Sequence, residues 1–334
     1  MIIDRLIQET RERFPSYSES SFDVHELEKG GSDRKYYRIR CNPLTSLILV
    51  KYNIQKPENA RFVAVANFLD GVGVSAPLVY FHDSEEGLIW MQDLGDEDLW
   101  LHRSESWAIR RELYRRTLDQ AITLHRTDPR LWHLRSGLAE FDFRLYRWEQ
   151  EYGVKNCFGR YFGLSGTVCA DLLGHSALVA LAEELSSHPR VLIHRDLQSQ
   201  NVLVCDDQPY LIDFQGMRPG LGTYDLASLI FDPYVQLTEA EQAELVDYYR
   251  AEIGSNGSDD TFRRRLLQCA LQRLFQALGA YGVIGLIRGK PEFLRHIRPA
   301  ISRLEMVASE LAEFSFFRAF LGELPPSPRN TSDY

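Results

Sequence analysis

Residues 191–216 read V-L-I-H-R-D-L-Q-S-Q-N-V-L-V-C-D-D-Q-P-Y-L-I-D-F-Q-G, and this stretch decides the fold. Short apolar, β-branched runs flank polar residues, the pattern of a strand-turn-strand island. On both sides the texture is helical, with apolar periodicity over 105–126, 141–160, 164–187, 238–253, 259–288 and 291–313. A β island set among helices needs a reason, and its polar residues supply one. His194, Arg195, Asp196, Leu197 and Asn201 spell H-R-D-L-x-x-x-N, and Asp213-Phe214-Gln215-Gly216 follows twelve residues after Asn201. Five fixed residues at that spacing arise by accident about once in 10⁴ chains of this length. The bland alternative is a polar turn at Asp196 and Asn201 with Asp213 capping a strand.

The two motifs together resemble the catalytic and metal-binding segments of the protein-kinase-like fold, with one residue inserted where protein kinases have D-F-G. Chemistry explains why these residue types recur. Phosphoryl transfer from ATP needs the acceptor hydroxyl positioned, its proton accepted, and the phosphate charge neutralised by Mg²⁺. A carboxylate just past a strand end suits the base, which assigns that role to Asp196. Asn201 offers a neutral oxygen and Asp213 an anionic one, both hard donors suited to Mg²⁺.

Working outward, residues 22–52 contain three short strand patterns broken by G-G-S-D and C-N-P-L, a helical pattern begins at Pro57, and two further strands are expected near 77–82 and 87–92. The implied fold is α+β and two-lobed: a small lobe (1–95) with five antiparallel strands and a helix, a larger mainly helical lobe (96–322), and a polar, proline-rich tail (323–334). In such a fold the small lobe clamps the nucleotide. Gly31 and Ser32 lie in the turn where backbone N–H groups can approach phosphates, and Lys51 ends the third strand, the place of the lysine that holds the α- and β-phosphates. Glu58 is its candidate partner on the following helix, and Gln92 and Leu94 lie on the linker whose backbone bonds adenine in this fold.

Only eight residues separate Gly216 from Asp225, too few for a peptide-docking activation segment. That compact run resembles the aminoglycoside phosphotransferase and choline-kinase-like superfamily, in which the aspartate of Y-D-L-A, here Asp225, steadies the catalytic loop. Finer similarity in G-G-S-D-R-K-Y-Y-R-I, M-Q-D-L-G-D and I-D-F-Q-G-M-R-P-G-L-G-T-Y-D-L-A-S-L points to bacterial amino-sugar anomeric kinases of peptidoglycan recycling, which phosphorylate N-acetylmuramate and N-acetylglucosamine. Lys51 departs from that family, whose members often lack the strand lysine. The resemblance implies a kinase using ATP and Mg²⁺ on a small-molecule acceptor, the anomeric hydroxyl of an N-acetyl amino sugar. Aminoglycoside-, choline- and homoserine-type acceptors, or a nucleotide-binding pseudokinase scaffold, are the alternatives.

Composition narrows the partners. The 334 residues carry a net charge of −9, which disfavours nucleic acid and anionic membrane surfaces. Five scattered cysteines with no C-x-x-C suggest a reducing compartment and no zinc site. With no leader or membrane span expected, the reading is cytoplasmic. Within the acidic whole, residues 261–303 hold nine cations (Arg263, Arg264, Arg265, Arg273, Arg288, Lys290, Arg295, Arg298, Arg303) and one anion, Glu292. That stretch is either an ordinary basic helix face or a surface for an anionic acceptor.

Overall fold

The computed structural model describes residues 2–17, 22–27, 34–42, 45–131, 139–254 and 258–325. They fall into two compact units, Met1–Glu97 with Leu203–Gln215, and Asp98–Val202 with Gly216–Tyr334.

The first unit opens with α1 (Ile2–Arg13), followed by β1 (Asp23–Leu27), β2 (Lys35–Asn42), β3 (Thr45–Lys51), α2 (Pro57–Gly71), β4 (Val79–Asp83) and β5 (Leu88–Gln92). The strands form one antiparallel sheet in the order β1-β2-β3-β5-β4, the five strands and helix expected. Alternation decides its faces. Tyr37, Ile39 and Cys41 point into a core with Leu47, Leu49, Leu88, Trp90 and Leu6 of α1, where Trp90 Nε1 donates to Thr10 Oγ1 at 2.9 Å. Arg38, between Tyr37 and Ile39, therefore faces the other way. On α2 an apolar stripe of Phe62, Val65, Ala66 and Leu69 is buried. The tight turn into β5 requires Gly87: its φ is +66°, and a Cβ there would sit 2.6 Å from Tyr52 O.

The second unit contains α3 (Trp107–His125), α4 (Phe143–Gly153), α5 (Gly166–Gly174), α6 (Ser176–Ser187) and β6 (Val191–Ile193). The hairpin β7 (Val202–Cys205) and β8 (Gln208–Leu211) comes next in the chain but belongs with the sheet unit. Val204 N donates to Glu97 O at 2.7 Å, and Leu211 N to Ser75 O at 2.8 Å. The boundary is thus not a single cut near residue 95. After β9 (Arg218–Gly220), which pairs with β6, come α7 (Gly222–Ile230), α8 (Glu239–Ile253), α9 (Asp259–Gly282), α10 (Ile297–Ser309) and α11 (Ser315–Gly322).

The expected helix over 164–187 is two helices, because His175 is extended and its Nδ1 accepts from Ala177 N to start α6. Those over 141–160 and 259–288 continue past α4 and α9 as π-helical turns, Val154–Tyr161 and Val283–Ile287. The segment Asp259–Ile287 is long and apolar enough to cross a membrane, but most of it is buried within its own unit. It lies against α4 at a glycine seam: added Cβ atoms at Gly153, Gly279 and Gly282 would each come within 2.4 Å of the opposite helix.

Candidate active site

The loop carrying His194, Arg195 and Asp196 is built by residues that hold its backbone. Register places Ile193, the last residue of β6, opposite Arg218 of β9, so the chain enters His194-Arg195-Asp196 from a paired strand. At the start of α7, buried Asp225 accepts from His194 N through Oδ2 and from Arg195 N through Oδ1, both at 2.7 Å. Oδ2 also lies 3.1 Å from His125 Nε2, whose other ring nitrogen meets Tyr249 OH at 2.9 Å. The loop-steadying role expected of Asp225 is thereby visible atom by atom. Downstream, Asp232 Oδ2 accepts from Ser199 N at 2.8 Å and from Ser199 Oγ at 2.6 Å. Burial pushes the Asp232 carboxyl up, and the Ser199 and Tyr234 hydrogen bonds only partly offset that.

Arg195 has φ +78°, a left-handed backbone uncommon outside glycine. Its guanidinium donates to Glu149 Oε1 at 3.0 Å, while Glu149 Oε2 accepts from Tyr224 OH at 3.0 Å and Gln272 Nε2 at 3.2 Å. Three helices thus converge on one buried carboxylate. Asp196 keeps 21% of its side chain exposed, and its Oδ1 lies 3.2 Å from Arg273 Nη2. Burial pushes the Asp196 carboxyl up, but Arg273, then Arg195, His194 and Arg218 outweigh it and hold the group below the ordinary carboxylate range. A reachable carboxylate that stays ionised at neutral pH can accept a proton from a hydroxyl placed against it.

Asn201 Nδ2 donates to Asp196 O at 2.9 Å, so the candidate base and the candidate metal ligand share one loop. Using the amide nitrogen in this way leaves Asn201 Oδ1, a hard oxygen, available. In the sheet unit, Asp213 follows β8 with φ +61° and an exposed carboxylate that accepts from Gln215 Nε2. Phe214 is buried against Phe62 of α2, ring centroids 4.9 Å apart, which anchors the Asp213 turn to that helix. Among the described residues no group of three or more His, Cys, Asp or Glu could form a metal site. Mg²⁺ needs none, since one or two protein oxygens plus phosphates and water complete its octahedron.

Lys51 is half-buried at the end of β3, beside Leu88, and Gln92 ends the neighbouring β5, opposite Leu47. Gln92 N donates to Leu78 O at 2.8 Å, and Leu94 is buried. Gly31, Ser32 and the Glu58 side chain lie outside the described residues, although Glu58 falls in the first turn of α2. Next to it, buried Asn59 takes Arg34 Nε on Oδ1 at 2.8 Å and donates to Asn53 O.

Several contributors escaped the sequence reading. Arg38 clamps the linker, donating to Asp93 through Nε at 2.7 Å and Nη2 at 3.0 Å, and to Asp96 Oδ1 at 2.9 Å. Asp93 is buried by that clamp. Much of the basic stretch is also spoken for: Arg263 pairs with Glu310, Arg264 with Glu313 and Glu184, Arg273 with Asp196, while Arg298 and Arg303 donate to Pro325 O and Val235 O. Of the aromatics around α4, Phe141 and Tyr146 are core, whereas Trp148 is about half exposed and stacks on Tyr152.

Comparison with known proteins places these features in a family. Residues 23–267 match the model of the phosphotransferase enzyme family. The N-acetylmuramate/N-acetylglucosamine kinase of Pseudomonas aeruginosa is 27% identical over 329 residues, covering 94% of this chain and 89% of that protein. Its counterpart in Pseudomonas putida is 25% identical over 279 residues, 81% of this chain and 80% of that one. Among solved structures, a choline/ethanolamine kinase family protein from Mesorhizobium loti superposes with TM-score 0.63 at 16% identity, covering 96% of this chain and 99% of that one. An ADP-bound aminoglycoside phosphotransferase gives 0.58 at 10% identity, covering 91% and 98%. With the family model spanning most of the sequence and the kinase-like fold shared across these neighbours, the chain belongs to the phosphotransferase enzyme family and is a small-molecule phosphotransferase.

Proposed function

We propose that this chain transfers the γ-phosphoryl group of ATP to the anomeric hydroxyl of an N-acetyl amino sugar, N-acetylmuramate or N-acetylglucosamine. The observation that carries the reading is the ionised, partly exposed Asp196 held in a loop braced by Asp225, Asp232 and Glu149. The names of the relatives supply the acceptor class.

In the transfer, Asp196 accepts the proton of the acceptor hydroxyl. The hydroxyl oxygen forms a bond to the γ-phosphorus as the bond to the β-γ bridging oxygen breaks, and ADP leaves with that electron pair. Asn201 and Asp213 supply hard oxygens for Mg²⁺, which when bound neutralises phosphate charge. Lys51 holds the α- and β-phosphates with Glu58 as its partner, and Gly31 and Ser32 present backbone N–H groups. The backbone of Gln92 to Leu94 takes adenine. Lys51 and Gln92 close opposite ends of the β3–β5 pair, about 13 Å apart at the rise of a strand, a span that suits an extended nucleoside triphosphate. The reaction belongs to cytoplasmic recycling of peptidoglycan sugars.

The test is turnover of ATP and Mg²⁺ against N-acetylmuramate, N-acetylglucosamine, aminoglycosides, choline and homoserine, with ³¹P NMR of the product. An acid-labile anomeric phosphate is expected. A product from another acceptor class, or silence across the panel, overturns the reading. Asp196→Asn should abolish transfer while ATP binding survives, and retained turnover would remove Asp196 as base.

A further inference from the structure

Three guanidiniums act on the Asp196 carboxylate: Arg273, Arg195 and Arg218. Two of them are neutralised at close range. Arg273 lies 3.2 Å from Asp196 itself, and Arg195 lies 3.0 Å from Glu149. Arg218 forms no ion pair among the described residues, although Glu149 and Asp196 act on it at longer range. Its one hydrogen bond there runs from Nε to Gly216 O at 2.9 Å, which fixes the plane of the guanidinium and leaves both terminal nitrogens unengaged.

Its location is as specific as its lack of a partner. Arg218 opposes Ile193, the residue that leads into the catalytic motif. The glycine that receives its Nε packs against the base, since a Cβ on Gly216 would lie 3.4 Å from Asp196 Oδ2 and 3.8 Å from Arg195 Nη1. Burial, then the neighbouring Arg195, push the Arg218 guanidinium down to about 10. Glu149 and Asp196 attract the guanidinium without pairing with it and offset that only in part, so the half-buried cation is unfavourable for folding alone. A planar fork with two spare nitrogens is the geometry that receives a carboxylate in bidentate fashion.

We propose that Arg218 is a specificity-determining residue for the acceptor, its terminal guanidinium nitrogens receiving a carboxylate carried by the sugar whose hydroxyl faces Asp196. This deepens the amino-sugar reading and rests on it. N-acetylmuramate carries such a carboxylate on its lactyl ether and N-acetylglucosamine does not, so Arg218 sets the preference between them. The anionic-acceptor idea is thereby relocated: the cation is outside residues 261–303, whose arginines are largely engaged elsewhere. Arg218 shares a compact unit with the base, whereas Lys51 and Asp213, assigned to phosphates and metal, belong to the other.

The experiment compares kcat/KM for N-acetylmuramate with that for N-acetylglucosamine in wild type, Arg218→Met and Arg218→Lys, with melting temperatures as the folding control. A hydrogen-bonded charge pair contributes about 1.5–3 kcal/mol, so the ratio should fall roughly 10- to 100-fold in Arg218→Met and less in Arg218→Lys. An unchanged ratio, whatever the absolute loss, overturns the proposal, because a fork acting on the transferred phosphoryl group or on the fold would slow both sugars alike. If Arg218→Met does not fold, the wild type is tested with the methyl ester of N-acetylmuramate. A kcat/KM for the ester reduced toward that for N-acetylglucosamine supports the proposal, and equal use of acid and ester refutes it. Wild-type failure to phosphorylate either sugar would sink the acceptor reading itself, a result visible before any variant is made.

Discussion

Replacing Asp225 by Asn tests the loop-bracing account most directly, because shape is kept and only charge and one acceptor are lost. Each carboxylate oxygen receives a backbone N–H at 2.7 Å, from His194 and Arg195, in a fully buried setting. Hydrogen bonds to a charged acceptor contribute about 1.5–3 kcal/mol, and an abandoned buried donor costs about 1–3 kcal/mol. In the amide, one oxygen still accepts while the –NH₂ faces the other N–H, so one bond is lost, one donor is orphaned and the survivor is weakened. About 3–5 kcal/mol of the second unit's stability should go, in line with breaking other buried charged contacts. For a unit of roughly 220 residues that corresponds to a fall of about 10 °C in its melting temperature. Calorimetry reads the shift, and hydrogen exchange should show the His194 and Arg195 amides opening first. A melting temperature within about 2 °C of wild type, or unchanged protection at those two amides, would refute the view that Asp225 holds the loop.

Asp213→Ala should remove Mg²⁺-dependent nucleotide binding, and calorimetric titration giving wild-type ATP affinity in the presence of metal would contradict its ligand role. Gly153→Ala places a methyl 2.4 Å from the backbone oxygen of Phe275, so α4 and α9 must part at a cost of about 1–3 kcal/mol. Gly174→Ala, with nothing within 4 Å of the new atom, is the matched control, and equal unfolding midpoints for the two would argue against the glycine seam. Arg38→Met should leave Asp93 buried without its cation, lowering stability by about 3–5 kcal/mol and raising the KM for ATP as the linker loosens. An unaltered KM for ATP would separate that clamp from nucleotide binding.

What could be read before the structure was chemistry carried by residues close together in sequence. H-R-D-L-x-x-x-N and D-F-Q-G are legible because a loop of a few residues must present a base and oxygen donors at fixed offsets. The sheet was legible because alternation in K-Y-Y-R-I-R puts Tyr37 and Ile39 on one face and Arg38 on the other. Illegible were the residues that support the loop from far along the chain. Glu149 meets Arg195 forty-six residues away and Arg273 meets Gln198 seventy-five away, contacts that no local pattern encodes. The basic run stayed undecided for the same reason: Arg263 and Arg264 are balanced by Glu184, Glu310 and Glu313, which lie outside it. Helix α7 is short and buried nearly all round, so no amphipathic contrast marks it, and the split at His175 turns on a side-chain cap that apolar periodicity does not register.

The left-handed backbone at Arg195 and Asp213 sets stability against activity at two positions. Glycine adopts that conformation without steric penalty and asparagine tolerates it better than most residues, so both offer relief there that arginine and aspartate forgo. Relief at Asp213 would cost the anionic oxygen, and relief at Arg195 the tie to Glu149. Screening variants for heat resistance alone would therefore enrich Gly and Asn at position 213 and discard the carboxylate proposed for Mg²⁺, whereas at position 195 the buried Glu149 left without its cation would offset the relief. A consensus or library design aimed at hardening this enzyme should hold both positions fixed and seek its gains elsewhere.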